Sequence, residues 1–193
     1  MADSVTFGLK NVHYAFHKAG LDGATEFEKP VHINGAVSLT MTREGEETSF
    51  YAEDRKFFSA SQNDGYTGTL TVAEIPDEFL VGALGWYKGS DGAVYEDADG
   101  VQKSFVLMFQ TSGNINNECT SFYSCKVSRP EAEANTKTKS TEVDTKSLAI
   151  TMVPMEFTVG SKKMNLVKST KKFAAGESTD SYFSAVAVPT AAA

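Results

Sequence analysis

The stretch VSLTMT, from Val37 to Thr42, alternates apolar and polar side chains without a break. Because successive side chains of a strand point to opposite faces, this pattern indicates a β-strand with one buried face. The same period of two recurs in three further runs, at residues 69–72, 105–109 and 148–152. Strong turn sequences separate such runs, among them Asn63-Asp64-Gly65. The sequence therefore predicts a mostly β fold.

One segment departs from this period. From Ile75 to Gly85 the chain reads IPDEFLVGALG, in which apolar side chains recur at helical spacing. Pro76 stands at the start, two acids fill the first turn, and Gly85 follows the last apolar residue, which are helix start and stop signals. We expect one short helix lying against the sheet.

The remaining segments suggest turns and long loops within a single domain, 1–193. A short strand from Ala93 to Asp97 is expected to pair with the run 101–111 through the turn Asp99-Gly100. Residues 43–54 suggest a long hairpin tip. Residues 130–146 contain almost nothing apolar and predict an exposed loop, and residues 189–193 predict a disordered tail.

Composition excludes several classes of protein. The net charge of −7 makes the chain a poor general binder of duplex DNA, whose affinity comes mainly from phosphate neutralisation. No apolar run approaches the roughly 20 residues that span a bilayer. Residues 1–5 carry an acid where a secretory signal has lysines. We expect a protein that is made in the cytoplasm and does not bind membranes.

Cys119 and Cys125 fall within one predicted strand. Their spacing would place both side chains on the same face, about 20 Å apart. A disulfide needs Cα atoms within about 7 Å. We therefore predict two free thiols.

The sequence contains no recognisable catalytic, metal or cofactor motif. Gly-x-Ser-x-Gly, His-Glu-x-x-His and a phosphate-binding glycine loop are all missing. His13 and His17 have no third ligand nearby. The acidic turn at 96–100 fails as a calcium loop because Tyr95 and Val106 occupy ligand positions. We predict a protein that is not an enzyme and needs no cofactor or metal.

Charge is unevenly spread along the chain. Between Ser161 and Phe173 there are five lysines and no acid: Lys162, Lys163, Lys168, Lys171 and Lys172. Three interpretations stay open, namely a solvated strand and turn, a DNA-facing patch, or a contact to an acidic loop of a neighbouring subunit.

The order and spacing of several short segments resemble the major tail proteins of siphophages, especially those that infect Gram-positive bacteria. The segments are FGLKNV at 7–12, GAVSL at 35–39, FYAED at 50–54, GYTGTL at 65–70, IPDEF at 75–79, LG at 84–85, FVLMF at 105–109, YSCK at 123–126 and RP at 129–130. The resemblance covers residues 7 to about 155 and is poor beyond Gly160.

This resemblance implies a β-sandwich or half-barrel tail-tube fold with a short flanking helix and long loops. Such subunits form hexameric rings that stack into a non-contractile tube, through which phage DNA passes without specific binding. The implied partners are further copies of the chain, the tape-measure protein, the tail terminator and the distal tail proteins. The implied location is the virion tail, after assembly in the host cytoplasm.

Within this framework the charged residues acquire predicted roles. An acidic wall repels phosphates and suits a bore that DNA must traverse. The predicted lumen or ring-stacking acids are Glu96, Asp97 and Asp99, and the polar face of Ser38, Thr40 and Thr42 is an equal candidate for the lumen. The predicted self-association residues are Glu44, Glu46, Glu47, Glu53, Asp54, Lys162, Lys163 and Lys168.

Three other functions remain open. A tube protein of a contractile injection or type VI-like system shares the fold. A virion decoration or carbohydrate-binding β-sandwich would need an exposed aromatic platform, for which the sequence offers Tyr51, Phe57, Phe58, Trp86 and Tyr87. A hydrolase would need a pocket with convergent polar groups.

Overall fold

The computed structural model describes residues 6–19, 25–52, 54–113, 117–131, 144–174 and 176–190. Its strands are β1 Thr6–Ala19, β2 Thr25–Phe27, β3 Val31–His32, β4 Ala36–Glu44, β5 Glu47–Ala52, β6 Arg55–Ser61, β7 Gly65–Val72, β8 Tyr87–Lys88, β9 Val94–Tyr95, β10 Phe105–Gly113, β11 Asn117–Val127, β12 Lys146–Met152, β13 Met155–Val159, β14 Lys162–Leu166 and β15 Lys168–Phe173. The helix α1 spans Asp77–Leu84, and a 3₁₀ helix spans Asp180–Phe183.

Nine strands form one antiparallel sheet in the order β2-β1-β10-β11-β12-β7-β4, with β3 beside β1 and β15 beside β11. One edge of β11 pairs with β10. Its other edge is divided, because residues 117–122 pair with β15 and residues 125–127 pair with β12. The sheet curls so far that Cα atoms of β4 come within 8 Å of those of β1. The predicted mostly β half-barrel with one short helix is confirmed.

The main core fills the concave side of this half-barrel, and α1 packs into it. Phe79 of α1 is buried, with its ring centroid 4.9 Å from that of Tyr14 and 5.1 Å from that of Phe105. The helix ends where predicted, since Gly85 takes a left-handed φ of 73° and its N–H donates to the carbonyl of Val81. The predicted helix is therefore confirmed.

The convex side of β1, β10 and β11 carries a second apolar cluster. It contains Ala15, Val106, Met108, Cys119, Phe173, Tyr182 and Phe183. The 3₁₀ helix supplies the last two of these residues and covers the sheet from outside. As a result every residue from Phe105 to Gln110 is buried. The prediction that this run buries only one face is wrong, because a segment far along the chain covers the other.

Both cysteines are free and buried, which confirms the prediction of free thiols. The prediction that they share a face is wrong. Cys125 belongs to the main core, whereas Cys119 belongs to the second cluster. The pairing of β10 with β11 shifts between Phe105 and Leu107, where β11 has one extra residue. Such a bulge reverses the side-chain parity of the strand beyond it.

The predicted hairpin through Asp99-Gly100 is also wrong. The short strand β9 pairs with β8 instead, across the turn at Asp91-Gly92. Asp97 closes the following turn, because its side chain accepts from the N–H of Asp99 at 2.9 Å. The N–H of Lys103 then donates to the carbonyl of Ala83 at the end of α1, 3.2 Å away. This hydrogen bond ties Lys103 to the helix, and residues 101–104 add no strand residues.

The predicted loop and tail fall largely outside the described residues. Of the segment 130–146, residues 132–143 lie outside them, Pro130 and Glu131 have no regular structure, and Lys146 begins β12. Of the segment 189–193, Pro189 and Thr190 have no regular structure and residues 191–193 lie outside the described part.

Candidate self-association surfaces

A long β-hairpin extends from one end of the sheet, and we call residues 43–66 the hairpin arm. The strands β4 and β7 pair as far as Glu44 and Gly65. Backbone hydrogen bonds from Asp64 to Glu44 (3.1 Å) and from Gln62 to Glu46 (3.0 Å) carry the pairing into β5 and β6. The predicted hairpin tip at 43–54 lies within this arm.

Two glycines allow the arm to begin where it does. Gly65 has a φ of 116°, and a Cβ atom there would lie 1.9 Å from the carbonyl oxygen of Met152. Gly45 has a φ of 147°, and a Cβ atom there would lie 2.0 Å from the carbonyl oxygen of Gln62. At both positions only glycine permits the two backbones to approach so closely.

The predicted acids of the arm that lie among the described residues are all exposed. Glu44 accepts a hydrogen bond from Thr67 Oγ1 at 2.6 Å. Glu47 forms an ion pair with Lys56 at 2.6 Å. Glu46 and Asp54 are exposed as well, and Asp54 has a φ of 57° at the turn. Glu53 lies outside the described residues.

The predicted lumen acids lie at the opposite end of the sheet. Glu96 lines a groove together with Ala73, Trp86 and Lys146. Lys146 pairs with Val72, whereas Met152 pairs with Tyr66 at the base of the arm. The seven residues of β12 therefore separate the two ends by about 20 Å. Glu96 pairs with Arg129 at 3.3 Å.

The predicted lysines lie toward the end of the sheet that carries the arm. Lys162 and Lys163 begin β14, next to the β13–β14 turn, and Lys163 pairs with Glu156 at 2.8 Å. The Nζ atom of Lys168 lies 5.2 Å from the centroid of the Tyr66 ring. All three lysines are exposed. The structure thus separates these lysines from the acids at 96–99.

An exposed strand edge completes the set of surfaces. Among the described residues, β4 pairs with β7 alone. Its polar residues Ser38, Thr40 and Thr42 are exposed. Val37, which the alternation predicted to be buried, is 58% exposed because the ladder shifts between Ala36 and Ser38. An edge strand with free backbone groups is a template for pairing with another chain.

Two exposed tyrosines form a pair that the sequence reasoning did not predict. Tyr87 and Tyr95 lie opposite each other on β8 and β9, with ring centroids 6.3 Å apart and exposed fractions of 65% and 49%. The hydroxyl of Tyr95 donates to Asp91 at 2.9 Å, and this hydrogen bond lowers the pKa of Asp91. Sequence reasoning named Tyr87 as an aromatic candidate and Tyr95 only as a residue that breaks a calcium loop, although the turn Asp91-Gly92 between them was a usable signal of their pairing.

The two histidines near the start of the chain serve packing. Burial lowers the pKa of both, so the neutral imidazoles are favoured. His17 Nε2 lies 2.7 Å from the carbonyl oxygen of Tyr123, and the ring of His13 stacks on Phe183 with centroids 4.6 Å apart. Across the described ranges no group of three or more His, Cys, Asp or Glu is arranged to hold a metal ion.

Within the described part of the chain, no helix has the length and apolar character needed to cross a membrane. A scan against protein-family models found no match, and a search of curated proteins found no significant relative. Function is therefore inferred from the surfaces described above and from the resemblance of the short sequence segments.

Proposed function

We propose that this chain is a structural subunit of a non-contractile phage tail tube, assembling as hexameric rings that stack around a bore for DNA. In this proposal the chain has no catalytic role and needs no cofactor. The observation that carries the proposal is the edge of β4, at the end of a sheet that curls without closing. Such an edge favours completion by another chain.

The two ends of the sheet differ, which suits ring formation. One end is β4, and the other is β2 and β3 beside β1. Pairing β4 of one copy with the β1 side of the next is a heterologous contact, which generates a ring if the rotation between copies closes. Ladder hydrogen bonds would then run from copy to copy, and the joined half-barrels would line the bore.

The polar surface of the subunit is compatible with passage of DNA. Three of the exposed side chains of β4 carry hydroxyls, namely Ser38, Thr40 and Thr42, and the chain as a whole carries a charge of −7. Repulsion between like charges acts over a Debye length of roughly 8–10 Å at physiological salt. A wall of neutral and acidic groups would therefore keep phosphates from adhering.

Electron microscopy of the purified protein over a range of concentrations tests this proposal. Rings or hollow rods are expected for the wild type. The variant Val37→Lys places a charge on the exposed edge and is expected to remain a folded monomer. Val188→Lys, at a residue with a similar exposed fraction of 51% outside the sheet, is the matched control and should assemble. Single small particles at every wild-type concentration would contradict the proposal.

A further inference from the structure

The turn that carries Tyr87 and Tyr95 presents apolar surface that the described chain does not cover. We call residues 87–101 the tyrosine turn. Besides the two rings it exposes Val101, at 80% the most exposed large apolar residue described. The acids Asp91, Glu96, Asp97 and Asp99 surround these side chains in sequence. Exposed aromatic residues with a polar rim are typical of interaction sites.

The ion pairs within the subunit show which acids of the tyrosine turn are available to a partner. Glu96 is held by Arg129. Asp97 and Asp99 form no ion pair with any cation in the described part of the chain, and both are exposed. A matching partner should therefore offer cations on an accessible surface, at positions that reach both the carboxylates and the tyrosine rings.

The chain itself carries such a surface, which we call the lysine hairpin, residues 155–172. Lys162 and Lys171 are exposed and have no acidic partner among the described residues. Lysines of this segment already lie over aromatic rings, because Lys168 sits 5.2 Å from the Tyr66 ring centroid and Lys171 sits 4.6 Å from that of Phe173. Cation–π contacts add to ion pairing when an ammonium meets a tyrosine face.

The two surfaces cannot meet within one subunit as described. The tyrosine turn lies at the Lys146 end of β12, and the lysine hairpin follows the Met152 end. The lysines of β15 lie further still from the tyrosine turn. Lys168 pairs with Phe122 and Lys172 pairs with Glu118, and along β11 both partners lie on the far side of the residues that pair with β12. The acidic tyrosine turn and the lysine hairpin are two surfaces of complementary charge at opposite ends of a subunit, which favours a head-to-tail contact between copies.

We infer that the tyrosine turn of one subunit docks on the lysine hairpin of a second copy, and that this contact stacks one ring on the next. The inference rests on the proposed tube function and assigns its axial contact. It places Asp99 near Lys162 of the other copy and the rings of Tyr87 and Tyr95 under lysine ammonium groups. The predicted acids at 96–99 thus act in stacking and do not line the lumen.

A charge-swap series with electron microscopy tests the contact. Asp99 is suitable because its side chain forms no ion pair or hydrogen bond with another described residue. Lys162 is suitable for the same reason. The single variants Asp99→Lys and Lys162→Glu should give isolated rings in place of tubes, and the double variant should restore tubes. Tubes of normal length from both single variants, or a double variant that stays unstacked, would overturn the inference while leaving ring formation intact.

Disulfide trapping provides a readout that does not need tubes. Proteins bearing Asp99→Cys and Lys162→Cys are mixed and oxidised, and a cross-linked dimer with one of each is expected. The native thiols are buried and should not interfere. A yield no higher than in the unmixed controls would overturn the inference. A second result would also overturn the inference. If the protein binds maltohexaose saturably, and Tyr87→Ala abolishes that binding without changing ring stacking, the tyrosine turn is a carbohydrate-binding site.

If the wild type forms no rings and the two cysteine variants form no mixed disulfide, the proposed function and this inference fail together. If the wild type forms rings and the two cysteine variants form no mixed disulfide, only the inference fails.

Discussion

The hydroxyl oxygen of Tyr182 lies 2.7 Å from Oγ of Ser121, in a place where both side chains are buried. This hydrogen bond joins the 3₁₀ helix to β11 across the second apolar cluster. It is one of the polar connections that fix a late segment of the chain on the convex side of the sheet, together with the hydrogen bond from Thr179 to Gln110.

The substitution Tyr182→Phe should destabilise the protein by about 1–3 kcal/mol, because it leaves the buried Ser121 hydroxyl without this partner. Urea unfolding followed by circular dichroism measures the change. Tyr87→Phe, at an exposed ring, is the control and should lie within about 0.5 kcal/mol of the wild type. Equal effects of the two substitutions would show that the hydrogen bond does not contribute.

The base of the hairpin arm offers a second test. Gly65→Ala would place a methyl group 1.9 Å from the carbonyl oxygen of Met152, so the two backbones must separate. Gly92→Ala introduces the same methyl at a φ of 83° where no atom lies within 4 Å. We expect Gly92→Ala to cost about 1–2 kcal/mol, as for any L-residue in this conformation, and Gly65→Ala to lower the melting temperature considerably more. Similar melting temperatures for both variants would refute the close approach.

Stability should also fall at alkaline pH. Burial raises the pKa of Cys125 to about 12 and that of Cys119 to about 11, whereas unfolded cysteines ionise near 9. Between these values the unfolded state releases the thiol protons and the folded state keeps them, so the free energy of unfolding decreases as pH rises above 9.

The slope from Cys125 should approach about 1.4 kcal/mol per pH unit. Cys125→Ala removes this contribution, and its unfolding free energy should depend less steeply on pH between 9 and 11, even though the variant is less stable at pH 7. An unchanged slope in denaturant titrations across this range would count against a buried, neutral thiol.

The arm should matter for assembly and little for folding. The double reversal Glu46→Lys and Glu47→Lys changes exposed charges, so the melting temperature should move by only a few degrees. Tube yield, measured by sedimentation, should fall strongly. The exchange Glu47→Lys with Lys56→Glu preserves net charge and allows the pair to re-form, and it should assemble normally. A reversed protein that assembles with the yield of the wild type would contradict a role for the arm acids.

Local signals in the sequence were sufficient to predict the main strands and the helix. The alternation at 148–152 became β12 with alternating burial, and the signals around Pro76 and Gly85 bounded α1 closely. In each case the residues that decide the structure are neighbours along the chain. The mostly β class could therefore be predicted before the structure was known.

Bulges and long-range cover account for the errors. Val37 lies within a change of register and Cys125 follows one, and such a change depends on the partner strand and leaves no mark in the alternating pattern. The burial of Val106 and Met108 depends on Tyr182 and Phe183, far away in sequence. Likewise, the pairing of β9 with β8 depended on which of two similar turn sequences would close the hairpin.

The cover over β10 also bears on how the protein is made. Tyr182 and Phe183 are synthesised more than 70 residues after Met108. During translation the convex face of β1, β10 and β11 therefore emerges from the ribosome without its apolar cover, and it stays uncovered until the 3₁₀ segment has emerged. The nascent chain passes through a stage at which holdase chaperones have an apolar sheet face to bind, and ribosomes stalled before codon 180 would release aggregation-prone fragments.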